Sequence, residues 1–378
     1  MNDDCIYLDH NATTPLLPRV LEAMLPYLQH HFGNPSSEHP FGRRAKQGVE
    51  QARLQVAALL GAEPEEVYFT SGGTEANNLA IRGCVDPSRG QRLLSTTVEH
   101  PATMQACTEL AIAGAELELL EVDDAGWVDM DALRSSLQKP TALLTVILAQ
   151  NETGVLFPVA EMAREARASG ALVHTDAAQA VGKIETRVKE LGVDLLSVAG
   201  HKLYAPKGVG ALYVRRGVRL RPLLVGAGHE RGLRPGTENV ASIVGLGEAC
   251  AAAAEGLEHE AARVRGLRDR LWEGLHCAVP GLCLNGHPEE RLPNTLNVSF
   301  PDVLGSDMLA ATPEIAASTG SACHAGVASA SAVLSAMGLT RKRALGAVRL
   351  SLGRETSAEQ VERAISLLAA AWRQLSSA

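Results

Sequence analysis

The chain has 378 residues with 35 Lys or Arg, 43 Asp or Glu and a formal net charge of −8, and its basic residues are scattered without a sustained run. That distribution argues against a nucleic-acid footprint, and the length exceeds the size at which one core usually stops growing, so two domains and a small-molecule or protein partner are expected. No uncharged apolar stretch reaches the roughly 18 residues of a membrane helix and no targeting pattern opens the chain, which predicts no membrane partner and a cytoplasmic protein. The seven cysteines, at positions 5, 84, 107, 250, 277, 283 and 323, form no C-x-x-C pair, so neither a disulfide framework nor a metal site is signalled. Most are expected to be buried small hydrophobes. Aromatics make up only 3% of the chain, which suits close helix-on-sheet packing better than base stacking.

In chain order, short apolar runs bounded by turn residues read as strands: Val67 to Thr70, Arg92 to Thr96, Glu116 to Leu120, Leu143 to Ala149, Leu172 to Thr175, Leu195 to Ala199 and Gly210 to Val214. Helical patterns separate them, so a mostly parallel sheet covered on both faces is expected. A long Ala-, Glu- and Arg-rich helical pattern from Ala241 to Leu275 then predicts a rigid connection between domains. Strand-like Leu296 to Phe300, Ile315 to Ser318 and Val348 to Leu352, with a helix from Ser357, predict a smaller α+β domain.

Ligands of such sheets sit beyond the carboxyl ends of the strands, and the polar clusters fall there. Ser71 to Asn78, SGGTEANN, follows a strand and opens a helix, so Gly72 and Gly73 let backbone N–H groups approach an anion at a helix N-terminus. The same residues also read as a simple capped turn. Asp176 and Gln179 of HTDAAQ lie just past a strand, where a carboxylate could hold a heterocyclic nitrogen cationic, or merely cap the next helix. His201 and Lys202 end the strand Leu195 to Ala199, and a desolvated lysine there forms Schiff bases, whereas a solvated one is only a surface charge. Their order decides the matter: anion cup, Glu99-His100, Asn151, Asp176 and Gln179, then Lys202, each at a strand end.

With YLDHNATTP, GNPSSEH, EHPA, NETG, GHK, RPGTEN, GSACH and RLSLGR added, essentially the whole chain resembles the class V aminotransferase family, specifically the cysteine desulfurases and the similar selenocysteine lyases. The resemblance implies an α/β fold of the pyridoxal-phosphate (PLP) fold type I, aspartate aminotransferase-like. It implies a large domain over 14–255 with a mainly parallel seven-stranded sheet, and a small domain of 1–13 and 256–378 carrying a catalytic loop at about 318–332. PLP is the implied cofactor. Lys202 would carry it, Asp176 would pair with its ring nitrogen, Asn151 and Gln179 would bond the ring hydroxyl side, and His100 would stack on the ring and shuttle protons. Gly73, Thr74 and His201 would hold its phosphate, with Thr237 reaching in from the second subunit of a homodimer. Ala199 stands where the family commonly has a serine, so one phosphate hydroxyl is lost, and Ser197 is out of step to replace it.

STGSACHAG, Ser318 to Gly326, is small and polar, and its resemblance to the family's persulfide loop makes Cys323 the expected nucleophile. His324 either tunes that thiol or is a solvated loop residue. Arg349 sits on an apolar strand and needs a partner, either the substrate α-carboxylate, with Asn34 and Asn151 nearby, or an internal salt bridge. The expected activity is conversion of L-cysteine to L-alanine, with sulfur left on Cys323 as a persulfide for a protein acceptor. The alternative is cleavage of L-selenocysteine, favoured by Ala199, RPGTEN, Cys323-His324 and the lack of a Leu-Glu-Pro-Ser after the loop cysteine. The spacing from Cys323 to Val333-Leu334 favours the bacterial desulfurases instead. A catalytically silent scaffold is a third reading, opposed by the presence of both Lys202 and Cys323.

Overall fold

The structure, a computed structural model, describes residues 5–320 and 330–377. A short strand, β1 (Ile6–Tyr7), precedes α1 (Pro18–Gln29) and α2 (Pro40–Leu60). Strands and helices then alternate through β2 (Val67–Thr70), α3 (Gly73–Cys84), β3 (Arg92–Thr96), α4 (Pro101–Ile112), β4 (Glu116–Leu120), β5 (Leu143–Ile147), β6 (Leu172–Asp176), β7 (Leu195–Ala199) and β8 (Gly210–Val214). These are the seven strands expected from the sequence, with β5 stopping at Ile147 because Ala149 turns back to bridge Leu156.

The strands form one sheet in the order β2-β8-β7-β6-β5-β3-β4. It is parallel from β7 to β4, and β8 runs antiparallel to both β7 and β2. Near-continuous apolar strands such as LLTVI of β5 are buried on both faces, as a doubly covered parallel sheet requires. Leu143 and Leu195 pack with Leu79, Ile81 and Leu110 of α3 and α4, while Leu144, Leu196 and Val198 pack on the other face with Val49 and Val56 of α2. The chain winds from β3 out to β4 and then returns to β5 on the other side of β3, so the loops leaving β3 and β5 part company and open a crevice.

Register brings Ile147, Asp176 and Ser197 abreast, and Ala199, Gly210 and Thr70 abreast, at the carboxyl edge. Two glycines make the turn into α3 possible there. Gly72 has φ +149°, which side chains rarely allow, and a Cβ on Gly210 would lie 2.7 Å from the Gly72 Cα.

The expected single helix over Ala241 to Leu275 is two helices, Val240–Ala254 and Leu257–Ala278, meeting at 76°. Gly256, a poor helix former, sits at the break. The first helix is buried along the large sheet's core, while Val264, Leu271 and Leu275 of the second cover a separate cluster, so the connection turns a corner rather than running rigidly straight. No single helix among the described residues is long and apolar enough to cross a membrane.

That second cluster gathers β9 (Cys283–Leu284), β10 (Thr295–Ser299) and β12 (Ala347–Ser351), an antiparallel sheet in the order β12-β10-β9, with Ile6 and Leu8 and the helix Ala358–Ser376. A further strand, β11 (Ile315–Ala316), pairs in parallel with β1; it is shorter than expected, Ser318 instead bridging Arg349. Val333, Leu334 and Met337, by contrast, pack with the first cluster. The expectation that most cysteines are buried also needs correction. Cys107 and Cys250 are buried, but Cys5, Cys277 and Cys283 are exposed, lying before β1, in the last turn of a surface helix and on an edge strand.

Candidate active site

A cavity of about 320 Å³ opens at the carboxyl edge of the sheet, in the crevice between the loops after β3 and β5. Its walls include Gly73, Thr74, His100, Asn151, Asp176, Gln179, His201, Lys202 and Arg349, so nine of the site residues expected from the sequence meet in one place.

Lys202 ends a tight turn, Gly200–Lys202, that leaves β7, and its Nζ donates to the carbonyls of Asn11 at 2.6 Å and Ala12 at 2.7 Å. Burial, with the Arg349 guanidinium as a further push, brings its ammonium down to about 8. Opposite stands Asp176, the last residue of β6. Its carboxylate accepts from Asn77 Nδ2 at 2.6 Å and from the Ala178 backbone N–H at 2.9 Å. It is 4% exposed, and among the described residues it forms no ion pair with Lys, Arg or His. A buried carboxylate facing a cavity without a cationic partner suits a ligand that brings its own cation.

His100 caps α4, its Nδ1 accepting from the Ala102 N–H at 3.1 Å, and burial lowers its pKa. His201 Nδ1 lies 3.2 Å from Thr13 Oγ1, and burial together with Lys202 pushes the ring down to about 4, so it is neutral near pH 7. Gly73 and Thr74 open α3 with free N–H groups toward the cavity side. Ala199 lies beneath them: a Cβ on Gly73 would meet the Ala199 Cβ at 3.2 Å. Ser197 is committed elsewhere, its Oγ 2.9 Å from His174 Nε2 in a buried row that ends on Thr145.

Both readings of Arg349 find support. Its Nη2 donates to Asp9 Oδ1 at 2.7 Å and its Nη1 to the Asn151 carbonyl at 3.0 Å, while its buried Nε finds no acceptor among the described residues. Internal pairing therefore leaves donors for a carboxylate. Two expected residues are not brought into the cavity. Asn34 is exposed and its Oδ1 accepts from the Ser36 N–H at 2.9 Å; Thr237 is exposed as well and was expected to serve the other subunit. Cys323 and His324 lie outside the described residues.

Sequence reasoning missed Asn11, Asn77 and Lys183, and gave Glu99 and Glu152 no role. Asn11 sat inside a quoted motif, and the only signal for Lys183 was its place four residues after Gln179. Glu99 is buried, its Oε1 accepting from Thr96 Oγ1 and the Ile147 N–H, and burial raises it to about 8. Glu152 accepts from Ser331 Oγ at 2.5 Å, and burial raises it to about 7.

The pyridoxal phosphate implied by the sequence fits these residues: a desolvated lysine, an unpaired buried carboxylate and a helix N-terminus face one cavity. The sequence profile described as "Aminotransferase class-V" matches residues 6–364. A cysteine desulfurase of Trichormus azollae is 46% identical over 366 residues, covering 96% of this chain and 92% of that protein. Among solved structures, a NifS-like protein superposes with TM-score 0.91 at 36% identity, over 99% of this chain and all of that one. SspA in complex with cysteine superposes with TM-score 0.80 at 33% identity, over 92% of this chain and 98% of that one.

Proposed function

The chain belongs to the class V aminotransferase family and is a PLP-dependent cysteine desulfurase, and on that premise we propose how its own side chains divide the work. The observation that carries the division is the placement of Lys202, its ammonium lowered to about 8, and the Asp176 carboxylate, which makes no ion pair among the described residues, on one cavity.

Lys202 anchors the cofactor and serves as the base for the substrate α-proton, because burial keeps a fraction of its amine neutral near pH 7. Asp176 holds the ring nitrogen, with Asn77 and the Ala178 N–H keeping the carboxylate aimed. Gly73, Thr74 and His201 hold the phosphate, joined by Thr237 of a second copy, and Asn151 and Gln179 serve the ring-hydroxyl side. When bound, PLP supplies a cationic ring that takes up the electron pair released at the α-carbon. Arg349 receives the substrate α-carboxylate through donors its protein partners leave free.

Cys323 is the sulfur acceptor. Its thiolate attacks the substrate sulfur, a sulfur–sulfur bond forms, and the carbon–sulfur bond breaks. The electron pair stays with the carbon fragment, which takes up a proton and leaves as alanine, so no outside oxidant or reductant is needed. The described flanks of the loop support this placement: Ser318 bridges the Arg349 backbone, and Ser331 donates to Glu152, the neighbour of Asn151. The persulfide sulfur then passes to a protein acceptor. A homodimer fits an unpartnered apolar face, where Leu21, Leu25 and Leu28 of α1 are exposed beside Phe32 and Phe41, whose rings pack 5.5 Å apart.

The test is alanine release from L-cysteine and L-selenocysteine measured side by side. Wild type should turn over L-cysteine, and Cys323→Ala should lose that activity while keeping bound cofactor. Full activity of Cys323→Ala on L-cysteine would overturn the assignment of the acceptor. A wild type inert to L-cysteine but active on L-selenocysteine would overturn the choice of substrate.

A further inference from the structure

Lys183 stands behind the cavity wall, four residues beyond Gln179, with its side chain in a smaller hollow lined also by His10, Tyr204 and Asn294. Its Nζ donates to Gln179 Oε1 at 2.7 Å and to Asn11 Oδ1 at 3.3 Å. The charges that act on it, Lys202 and Arg349, are both positive, and burial pushes its ammonium well below the usual lysine range. Glu260, which also lines that hollow, pairs with Arg263 at 2.7 Å, so among the described residues Lys183 forms no ion pair, and a desolvated lysine so placed costs stability that calls for a reason beyond packing.

That reason lies in the two amides it touches. The oxygen and nitrogen ends of a Gln or Asn side chain are nearly the same shape, and only hydrogen-bond partners decide which way each faces. Nζ makes both contacts as a donor, so both amides turn their oxygens toward it. Gln179 then points its Nε2 at the Asn11 carbonyl, 2.8 Å away, and one N–H is left over on a side chain that lines the cavity. Asn11 accepts at Oδ1 from Lys183 and from Asn294 Nδ2 at 3.0 Å, which sends its own Nδ2 to Thr295 Oγ1 at 2.9 Å and the Asn151 carbonyl at 3.2 Å. Reversing the Gln179 amide would set donor against donor at Lys183 and acceptor against acceptor at the Asn11 carbonyl. We propose that Lys183 is a positioning residue that fixes the polarity of the Gln179 amide, so that this wall of the cavity offers an N–H donor to the anionic ring oxygen of the cofactor.

The proposal rests on the reading of the cavity as a PLP site, and Lys183 itself does not reach the cavity lining. The donor stabilises negative charge on the ring oxygen and so disfavours a further proton on the cofactor. Losing Lys183 should therefore raise the pH midpoint of the bound cofactor's visible absorption band.

The experiment is a spectroscopic pH titration of purified holoenzyme for wild type, Lys183→Met, Gln179→Leu and the double variant, with cofactor content and melting temperature checked for each. The expected result is an upward shift of about one pH unit in Lys183→Met that disappears when Gln179 is already Leu. A midpoint in Lys183→Met within about 0.2 unit of wild type overturns the proposal. So does a full shift that persists in the Gln179→Leu background, because the lysine would then act through its charge alone. If Lys183→Met does not fold, Lys183→Gln takes its place and must shift the midpoint in the same direction. A wild type with no visible band overturns the reading of the site, and this inference with it, whereas a normal band without a shift overturns the inference alone.

Discussion

The two walls of the cavity carry opposite charge and treat it alike. On the side of β6 and α4 stand two buried acids, Asp176 and Glu99; Glu99 is raised to about 8 by burial, with the nearby Asp176 adding to the shift. On the side of the N-terminal strap stand Lys202, Arg349 and His201, with Lys183 behind them, and burial and mutual repulsion lower both lysines and the histidine. Among the described residues, Arg349 with Asp9 is the one ion pair these groups make, and Asp9 and Asp176 offset only part of the fall at Lys202. Each wall is held short of compensation. A ligand with a basic ring nitrogen on one flank and phosphate, phenolate and carboxylate groups on the other completes both at once, so cofactor and substrate are recognised by charges the protein leaves open.

The largest effect should come from removing the amine on the basic wall. Lys202→Ala is expected to lower alanine release by about 10³-fold or more, because the anchor and the base go together; near-wild-type release would break the assignment. Next is the acid wall: Asp176→Asn keeps the shape and the Asn77 contact but loses the charge. The turnover number should fall roughly 10²-fold while cofactor affinity, read by equilibrium titration, falls much less. Equal losses would make Asp176 a structural residue. A smaller change tests the carboxylate end, since Arg349→Lys keeps the charge and gives up the planar fork. It should raise KM for L-cysteine by about tenfold or more with a lesser effect on turnover.

The smallest effect on turnover concerns Glu99, whose role is read in stability instead. Its carboxyl is raised from 4.5 to about 8 in the folded chain, so between those values the native state holds a proton that the unfolded state releases. Stability contributed by the neutral acid is present below about 4.5 and is lost as the pH rises through about 8. Glu99→Gln removes that slope. Relative to wild type, its melting temperature should climb from pH 5 to pH 8, by the equivalent of about 3–4 kcal/mol; a constant difference would show that the buried acid does not titrate there.

The basic wall also shows why the site could be read only in part. Asp176, Gln179 and Lys202 lie within a few residues of strand ends, so apolar runs and turn residues place them without knowledge of distant contacts. The seven strands of the large sheet were legible for the same reason. Asn11 and Arg349 are different. Asn11 bonds to Thr295, 284 positions away, and Arg349 to Asp9, 340 positions away, and no periodicity reports such pairings. Lys183 escaped notice because nothing local hints that two amides enclose it. The break at Gly256 was hidden by a composition, rich in Ala and Glu, that favours helix on both sides of the corner.

The strap that begins the chain has a consequence for how the molecule is made. Ile6 and Tyr7 leave the ribosome well before their partners Ile315 and Ala316, and the Asn11 N–H waits for the Ser351 hydroxyl. At typical synthesis rates those partners follow on the order of tens of seconds later, a period in which the large sheet can assemble while the strap stays unpaired. The carbonyls that receive the Lys202 amine therefore arrive last, although they were synthesised first. Nascent chains halted before residue 351 should hold a formed sheet and an unfinished lysine pocket, so cofactor capture belongs to the end of synthesis, after the C-terminal strand has closed over the N-terminus.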